Sequence, residues 1–106
     1  MSTQSEQKRR LRGVVLELLQ QNHERQRPRH SDYTLMAAMD RLSYEIYLDL
    51  VRELLQDLAD RGYVKLDELR NEKTGEVSMR RIQITPLGKN LVEGIAKDQA
   101  VLVRLD

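Results

Sequence analysis

The segment ADRGYVKLDELRNEKTGEVSMRRIQITPLG, residues 59–88, contains the sequence signals that are most informative about the fold. Its beginning closes a helical repeat, because Gly62 readily adopts the left-handed backbone conformation that ends a helix. Residues 63–69 and 77–85 then alternate apolar and polar side chains, and Gly75 lies in the short segment between them. Alternation of this kind around a glycine-containing turn predicts a β-hairpin.

Helices are expected on both sides of the hairpin. After it, Thr85 is a good helix N-cap and Pro86 suits the first helical position. Before it, apolar residues recur at helical spacing in three segments. The repeats are Leu11, Val14, Val15 and Leu18 in the first segment, Leu35, Ala38, Met39 and Leu42 in the second, and Tyr47, Leu50, Val51, Leu54 and Leu58 in the third.

Polar residues mark where the first three helices should begin. Ser5 is expected to cap the first helix, with residues 1–4 disordered, and Ser31 or Asp32 is expected to cap the second. Ser43 is expected to cap the third, which leaves almost no connector between the second and third helices. Two helices joined by so tight a turn form a helix-turn-helix unit. The expected fold is therefore α+β and mainly α: three helices, a two-stranded hairpin and a C-terminal helix in a single domain, residues 1–106.

The composition limits the function classes open to this domain. The chain has no cysteine and two isolated histidines, so we expect neither a disulfide nor a metal site. The sequence shows no Gly-rich phosphate loop, no Ser/His/Asp arrangement and no carboxylate pair, so we expect no cofactor and no catalytic activity. No apolar run approaches the ~20 residues of a membrane span, and the N-terminus has no signal-peptide core. A cytoplasmic protein of a bacterium or a phage is the default expectation.

Some apolar residues exceed what one small core needs. Leu16 projects away from the main stripe of the first helix, and residues 98–106 form a tail with four aliphatic side chains. The tail is expected as a short strand or as a continued helix, and it either folds back over its own core or meets a second copy of the chain. We favour a two-fold homodimer. Its interface would contain Leu16, Leu91, Val92, Ile95, Val101, Leu102 and Val103.

The net charge of +1 hides an uneven distribution of charge along the chain. Residues 1–32 carry seven basic and four acidic side chains, whereas residues 33–63 carry three basic and six acidic ones. The basic excess lies in the first helix and in loop 25–30, and a smaller share lies in the hairpin. Charge patterning of this kind bears on binding partners rather than on the fold.

The junction between the third helix and the hairpin resembles the winged helix-turn-helix superfamily, in the broad manner of ArsR-, MarR- and PadR-type bacterial regulators. The resemblance covers roughly residues 8–96 and is most specific in LLQDLADRGYV, residues 54–64, and in ITPLG, residues 84–88. The Glu93-Gly94…Val103-Arg104 ending is also similar to small winged-helix proteins of Mu-like prophages. The resemblance implies a DNA-binding transcription regulator in which the hairpin is the wing.

Under this interpretation, lysine and arginine side chains would neutralise DNA phosphates, and the start of the third helix would enter a groove. The candidate DNA-contacting residues are Arg9, Arg10, Arg12, Arg27, Arg29, Tyr44, Arg52, Lys73, Arg80 and Arg81. The exposed face expected for the third helix is acidic, however, and carboxylates repel phosphate. A winged-helix module that binds a protein through this acidic helix or through the aliphatic tail is therefore the alternative, and ordinary solvated charge is a third interpretation of each cluster.

Overall fold

The structure is a computed structural model that describes residues 3–103. Its elements follow in the order α1 (Thr3–Glu24), α2 (Asp32–Arg41), α3 (Leu48–Asp60), β1 (Val64–Arg70), β2 (Val77–Ile84) and α4 (Pro86–Val92). The two strands pair as an antiparallel sheet. The expected α+β class, with four helices around one hairpin, is confirmed.

One aliphatic core joins the helices to the hairpin. Leu54 and Leu58 of α3 are 1% and 0% exposed, and they belong to the same buried cluster as Val64, Ile82 and Ile84 of the hairpin, as predicted. The expectation that Leu16 lies at the surface is wrong, because this side chain is completely buried. α1 packs against α2, α3, α4 and β2, so the buried arc of α1 is wider than the single stripe that the spacing suggested.

The helix ends beside the hairpin match the sequence prediction. Gly62 has a φ of +82°, and its N–H donates to the carbonyl of Ala59 while the N–H of Tyr63 donates to the carbonyl of Leu58. These two bonds satisfy carbonyls that the end of α3 would otherwise leave unpaired. At the other end of the hairpin, the hydroxyl of Thr85 accepts the N–H of Gly88 and so caps α4.

The predicted start of α1 is wrong, whereas the predicted N-cap of α2 is confirmed. α1 begins at Thr3, so the sequence-based start at Ser5 and the disorder of residues 3 and 4 are wrong, while residues 1 and 2 lie outside the described part of the chain. Glu6 in the first turn of α1 suits the positive end of the helix dipole. Ser31 caps α2 as expected, because its hydroxyl accepts the N–H of Thr34 while the hydroxyl of Thr34 accepts the N–H of Ser31.

Ser43 does not cap α3. It has a φ of +69° and occupies the left-handed position that ends α2, where its N–H donates to the carbonyl of Asp40. The chain then continues without helix through residues 44–47, and α3 begins at Leu48 after Tyr47, whose side chain makes no capping bond. The expected tight turn is therefore an extended connector, and Tyr44 lies before α3 rather than on it.

A β-bulge interrupts β2 at Arg81. Lys65 pairs with Gln83 and Asp67 pairs with Arg80, so Arg81 and Ile82 together face a single residue of β1. Arg81 has a φ of +52°, a conformation that bulges usually assign to glycine. The N–H of Ile82 donates to the carbonyl of His30 at 3.0 Å, which ties the loop before α2 to the hairpin.

The tail folds back onto α1. The N–H of Leu102 donates to the carbonyl of Arg9 at 3.0 Å, and Arg12 donates to the carbonyl of Ala100 at 3.0 Å. Val101 is 6% exposed. Residues 98–103 therefore form neither a strand of the sheet nor a continuation of α4. They follow the alternative in which the tail covers its own core, and residues 104–106 lie outside the described range.

Polar contacts anchor the beginning of this tail. The hydroxyl of Tyr63 donates to a carboxylate oxygen of Asp98 at 2.5 Å, and Arg61 lies 3.6 Å from the same carboxylate. The hydrogen bond from Tyr63, helped by the N–H of Ala100, lowers the pKa of Asp98. The carboxylate form is thus favoured in the folded chain and holds the tail against the junction of α3 and β1.

The residues expected at a dimer interface differ in how exposed they are to solvent. Leu16, Leu91 and Val101 are buried within one chain, Val92 and Val103 are half-buried, and Leu102 and Ile95 are exposed. α4 ends at Val92, so Ile95 follows the helix and does not extend its apolar face as expected. Burial within one chain leaves the first three side chains no surface to offer a partner, and a homodimer stays a prediction.

Gly13 is the point at which the tail approaches α1 most closely, since a Cβ added there would overlap the carbonyl oxygen of Leu102. We expect Gly13→Ala to displace the tail and to lower the free energy of unfolding by about 1–3 kcal/mol, as overpacking does. Urea denaturation measures the loss. In a chain that ends at Lys97 the same substitution should stabilise, because alanine favours a helix over glycine by ~1 kcal/mol. An equal loss in both chains would contradict this contact.

Candidate functional site

Arg52, the only basic residue of α3, is largely buried by its ion-pair partners. Arg52 donates through Nε to Asp32 at 2.8 Å and through Nη1 to Glu76 at 2.9 Å, and its side chain is 14% exposed. The bond to Asp32 contributes most to raising the pKa of Arg52 above its usual value. Asp32 is 1% exposed and also accepts the N–H of Met79 at 3.0 Å. Arg52 is therefore not presented to solvent, contrary to the expectation that it faces DNA.

The cations of α1 largely neutralise acids of the same chain. Arg12 lies 2.6 Å from the carboxylate of Asp57, and Lys8 lies 3.3 Å from that of Glu53. Arg10 pairs with Glu6 at 3.0 Å but remains mostly exposed. Arg9 is half-buried. The basic cluster at the start of α1 thus packs partly against α3, and only Arg10 among its expected DNA-contacting residues is fully at the surface.

The outer face of α3 is acidic, as the sequence predicted. Asp49, Glu53, Gln56 and Asp60 are all exposed, and none of them carries a positive charge. Tyr47 precedes this face and is 79% exposed. The half-buried Tyr44 instead lines a groove with α1 and the tail, so the structure does not bring Tyr44 together with Arg52.

A further set of exposed cations lies in loop 25–30 and in the hairpin, residues 64–85, which together we call the loop–hairpin surface. Seven of its cations are exposed and form no ion pair with any other described residue. They are Arg25, Arg27, Arg29, Lys65, Arg70, Lys73 and Arg80. His30 adds no charge at neutral pH, because burial and then the nearby Arg41 lower its pKa.

Acidic residues only partly neutralise the positive charge of this surface. Its four carboxylates are Asp67, Glu68, Glu72 and Glu76, and the last of these is bound to Arg52. Arg81, the eighth cation, lies 3.7 Å from the exposed carboxylate of Asp67, and exposed pairs of this kind contribute little. Eight basic against four acidic side chains leave the surface positive, while α3 beside it is negative.

A groove of about 640 Å³ runs between the second half of α3 and the hairpin. Three of its lining cations come from separate segments: Arg29 from the loop, Lys65 from β1 and Arg81 from β2. The amides of Gln56 and Gln83 line the same groove, together with the carboxylates of Asp67 and Glu68. The hydrogen bond between Ile82 and His30 explains why the loop reaches this position.

The structure thus sorts the predicted site residues into three groups. Arg27, Arg29, Lys73, Arg80 and Arg81 lie on the loop–hairpin surface, and Arg10 is exposed on α1. The remaining residues, Arg9, Arg12, Tyr44 and Arg52, are wholly or partly covered elsewhere. The sequence did not reveal the link from Asp32 through Arg52 to Glu76, since these residues come from three different elements. It also did not reveal the groove amides, for which no local pattern exists.

In residues 3–103 there is no group of three histidine, aspartate or glutamate side chains placed to hold a metal ion. No helix within this described range is long and apolar enough to cross a membrane.

Comparisons with known proteins assign no role to these surfaces. No family model, no curated protein and no solved structure matches the chain.

Proposed function

We propose that the protein is a winged-helix DNA-binding regulator that contacts the phosphate backbone of duplex DNA with its loop–hairpin surface. The observation that carries the proposal is the set of seven exposed cations on this surface that pair with no described acid. Lysine and arginine side chains that neutralise phosphates supply most of the sequence-independent affinity of DNA-binding proteins. Cations already paired within the chain contribute less.

The order of the elements supports the winged-helix assignment. α2 and α3 are followed directly by the hairpin, which would be the wing. The bridge between His30 and Ile82 adds a short strand-like segment beside β2. A homodimer, which remains part of this proposal, would present the surface twice and span two half-sites.

α3 has a limited role in this mode of binding. Its exposed face lacks a free cation, and Arg52 is occupied by Asp32 and Glu76. Carboxylates repel phosphate, although one can accept a hydrogen bond from the amino group of cytosine. Contacts to phosphate fix position without reading sequence. We therefore expect weak sequence preference and a strong dependence on salt.

Binding to a fluorescent duplex, followed by anisotropy at several salt concentrations, tests the proposal. A dimer with ~6 phosphate contacts should give a slope of about −5 in a plot of log affinity against log salt. The combined substitutions Arg27→Ala, Lys65→Ala and Arg80→Ala should weaken binding and flatten this slope. The matched control removes three cations outside the surface: Lys8→Ala, Arg10→Ala and Lys97→Ala.

Two outcomes would contradict the proposal. One is the absence of binding by folded protein at low salt. The other is an equal loss of affinity in the control variant, because net charge alone would then account for binding. For the loop–hairpin surface to be the binding site, the triple variant must bind more weakly than the control variant, or its affinity must depend less steeply on salt.

A second candidate function is the binding of a basic protein segment to α3. The observation that favours it is the exposed face of Asp49, Glu53 and Asp60, with Tyr47 exposed at its beginning. Tyrosine is enriched in protein interfaces. Failure of the DNA experiment with folded protein would make this candidate the preferred one.

A further inference from the structure

We propose that Arg81 forms a phosphate-binding subsite in the groove between α3 and the hairpin, and that the chain tolerates a strained backbone at Arg81 to hold it there. The ligand is a phosphate group of the DNA backbone. The inference therefore rests on the proposed function, and it names one residue and one place within the larger surface.

The first observation is the backbone conformation of Arg81. Three described residues other than glycine have a positive φ: Gln26, Ser43 and Arg81. Gln26 and Ser43 lie in the connections between helices, whereas Arg81 lies inside a strand. Side chains with a Cβ are disfavoured in this region, and residues kept there often serve a site. Glycine would satisfy the bulge without strain, so the fold alone does not call for arginine.

The second observation is what the bulge brings together. Because two residues of β2 face one residue of β1 at this point, the strand turns locally and the N–H of Ile82 reaches the carbonyl of His30. The neighbouring Arg29 then lines the same groove as Arg81 and Lys65. One local irregularity therefore accounts both for the conformation of Arg81 and for the position of a second cation.

The chemistry of the groove fits a phosphate. Guanidinium groups offer paired N–H donors that match phosphate oxygens. The amide of Gln83 lines the same groove and can donate to a phosphate or sugar oxygen, whereas the amide of Gln56 already donates to Asp60 at 2.9 Å. The carboxylates of Asp67 and Glu68 share the groove. Asp67 lies 3.7 Å from Arg81, so a bound phosphate would compete with this carboxylate for the guanidinium.

The open form of the groove favours a phosphate within a polymer. The side chains of Arg81 and Asp67 are 76% and 65% exposed, so the groove is open to solvent at this point. A weakly held free phosphate is the expected behaviour of the isolated group. Duplex DNA would gain from the other cations of the loop–hairpin surface at the same time.

Arg81→Gly is the decisive substitution, because stability and binding should change in opposite directions. Glycine relieves the positive φ, so the thermal midpoint should stay the same or rise. Loss of one charge-assisted contact should weaken duplex binding by about tenfold, and the salt slope should flatten by about one. Arg81→Ala should lose the same affinity but melt below Arg81→Gly, because it keeps the Cβ in the strained conformation.

Asp67→Asn and Lys97→Ala complete the set. Asp67→Asn removes the competing carboxylate and should strengthen duplex binding. Because this variant keeps Arg81, its result does not depend on whether the Arg81 variants fold. Lys97→Ala removes one exposed cation outside the loop–hairpin surface and should change affinity by less than Arg81→Gly does.

The outcomes separate this inference from the proposed function. If Arg81→Gly binds duplex DNA as the wild type does, while the Arg27/Lys65/Arg80 variant is weakened, the subsite is overturned and the function stands. If the wild type binds no duplex, the function fails, and titration with inorganic pyrophosphate decides the subsite. Backbone amide NMR shifts at residues 80–83 that disappear in Arg81→Gly would support the phosphate site, and an unchanged spectrum would overturn it.

Discussion

Replacement of Arg52 by alanine is expected to lower the free energy of unfolding by about 3–5 kcal/mol, because it leaves the carboxylate of Asp32 buried without its cation. Asp32 is 1% exposed and joins the start of α2 to α3 and, through the N–H of Met79, to β2. Loss of its charged partner therefore affects three elements at once. Chemical denaturation monitored by circular dichroism measures the effect.

Glu76→Gln is the matched control for this pair. Glu76 contacts the same guanidinium from the exposed side, at 2.9 Å and with 52% of its side chain accessible. Solvent screens such a contact, so its loss should cost less than about 1 kcal/mol. A loss from Arg52→Ala no larger than that from Glu76→Gln would show that Asp32 does not depend on Arg52.

Leu54→Ala is expected to lower the free energy of unfolding by roughly 2–5 kcal/mol, because it opens a cavity that the surrounding residues fill only partly. Leu54 is 1% exposed in the middle of α3 and belongs to the cluster that joins α3 to the hairpin. Urea denaturation provides the measurement, and a loss below about half a kcal/mol would mean that α3 is not the central packing element.

Leu87→Ala provides the comparison for Leu54→Ala with the same change of side chain. Leu87 lies on α4 but is 57% exposed, so its truncation should remain within about 0.5 kcal/mol, as surface substitutions usually do. A similar cost at both positions would show that burial does not explain the loss at Leu54.

The parts of the fold that were predicted correctly depend on local chemistry. Gly62 ends α3 and Thr85 caps α4 because each acts on backbone groups within a few residues of itself. Ser43 shows where this reasoning fails. Serine caps helix beginnings well, but here Ser43 ends the preceding helix. Tyr44 and Ile46 then pack against the core, and α3 begins only at Leu48.

The candidate site was predictable in its composition and not in its arrangement. Exposed cations such as Arg29, which lies in a loop, and Arg80, which alternates with the buried Met79 along β2, follow from local sequence pattern. Arg52 was expected at the surface because its position on α3 lies beside the exposed face. Its actual partners come from 20 and 24 residues away in the sequence, and no spacing rule reaches across elements to find them.

The contact between α1 and the tail affects how the chain folds as it leaves the ribosome. α1 emerges first, yet Arg12 bonds to Ala100, 88 residues later in the sequence, and α1 also packs against β2 and α4. Contacts that join distant residues form late, since a long loop must close before they stabilise anything. The part of the core that Val101 and Val103 cover therefore stays incomplete until these residues have been synthesised. A nascent chain stalled before Asp98 would leave this part of the core uncovered.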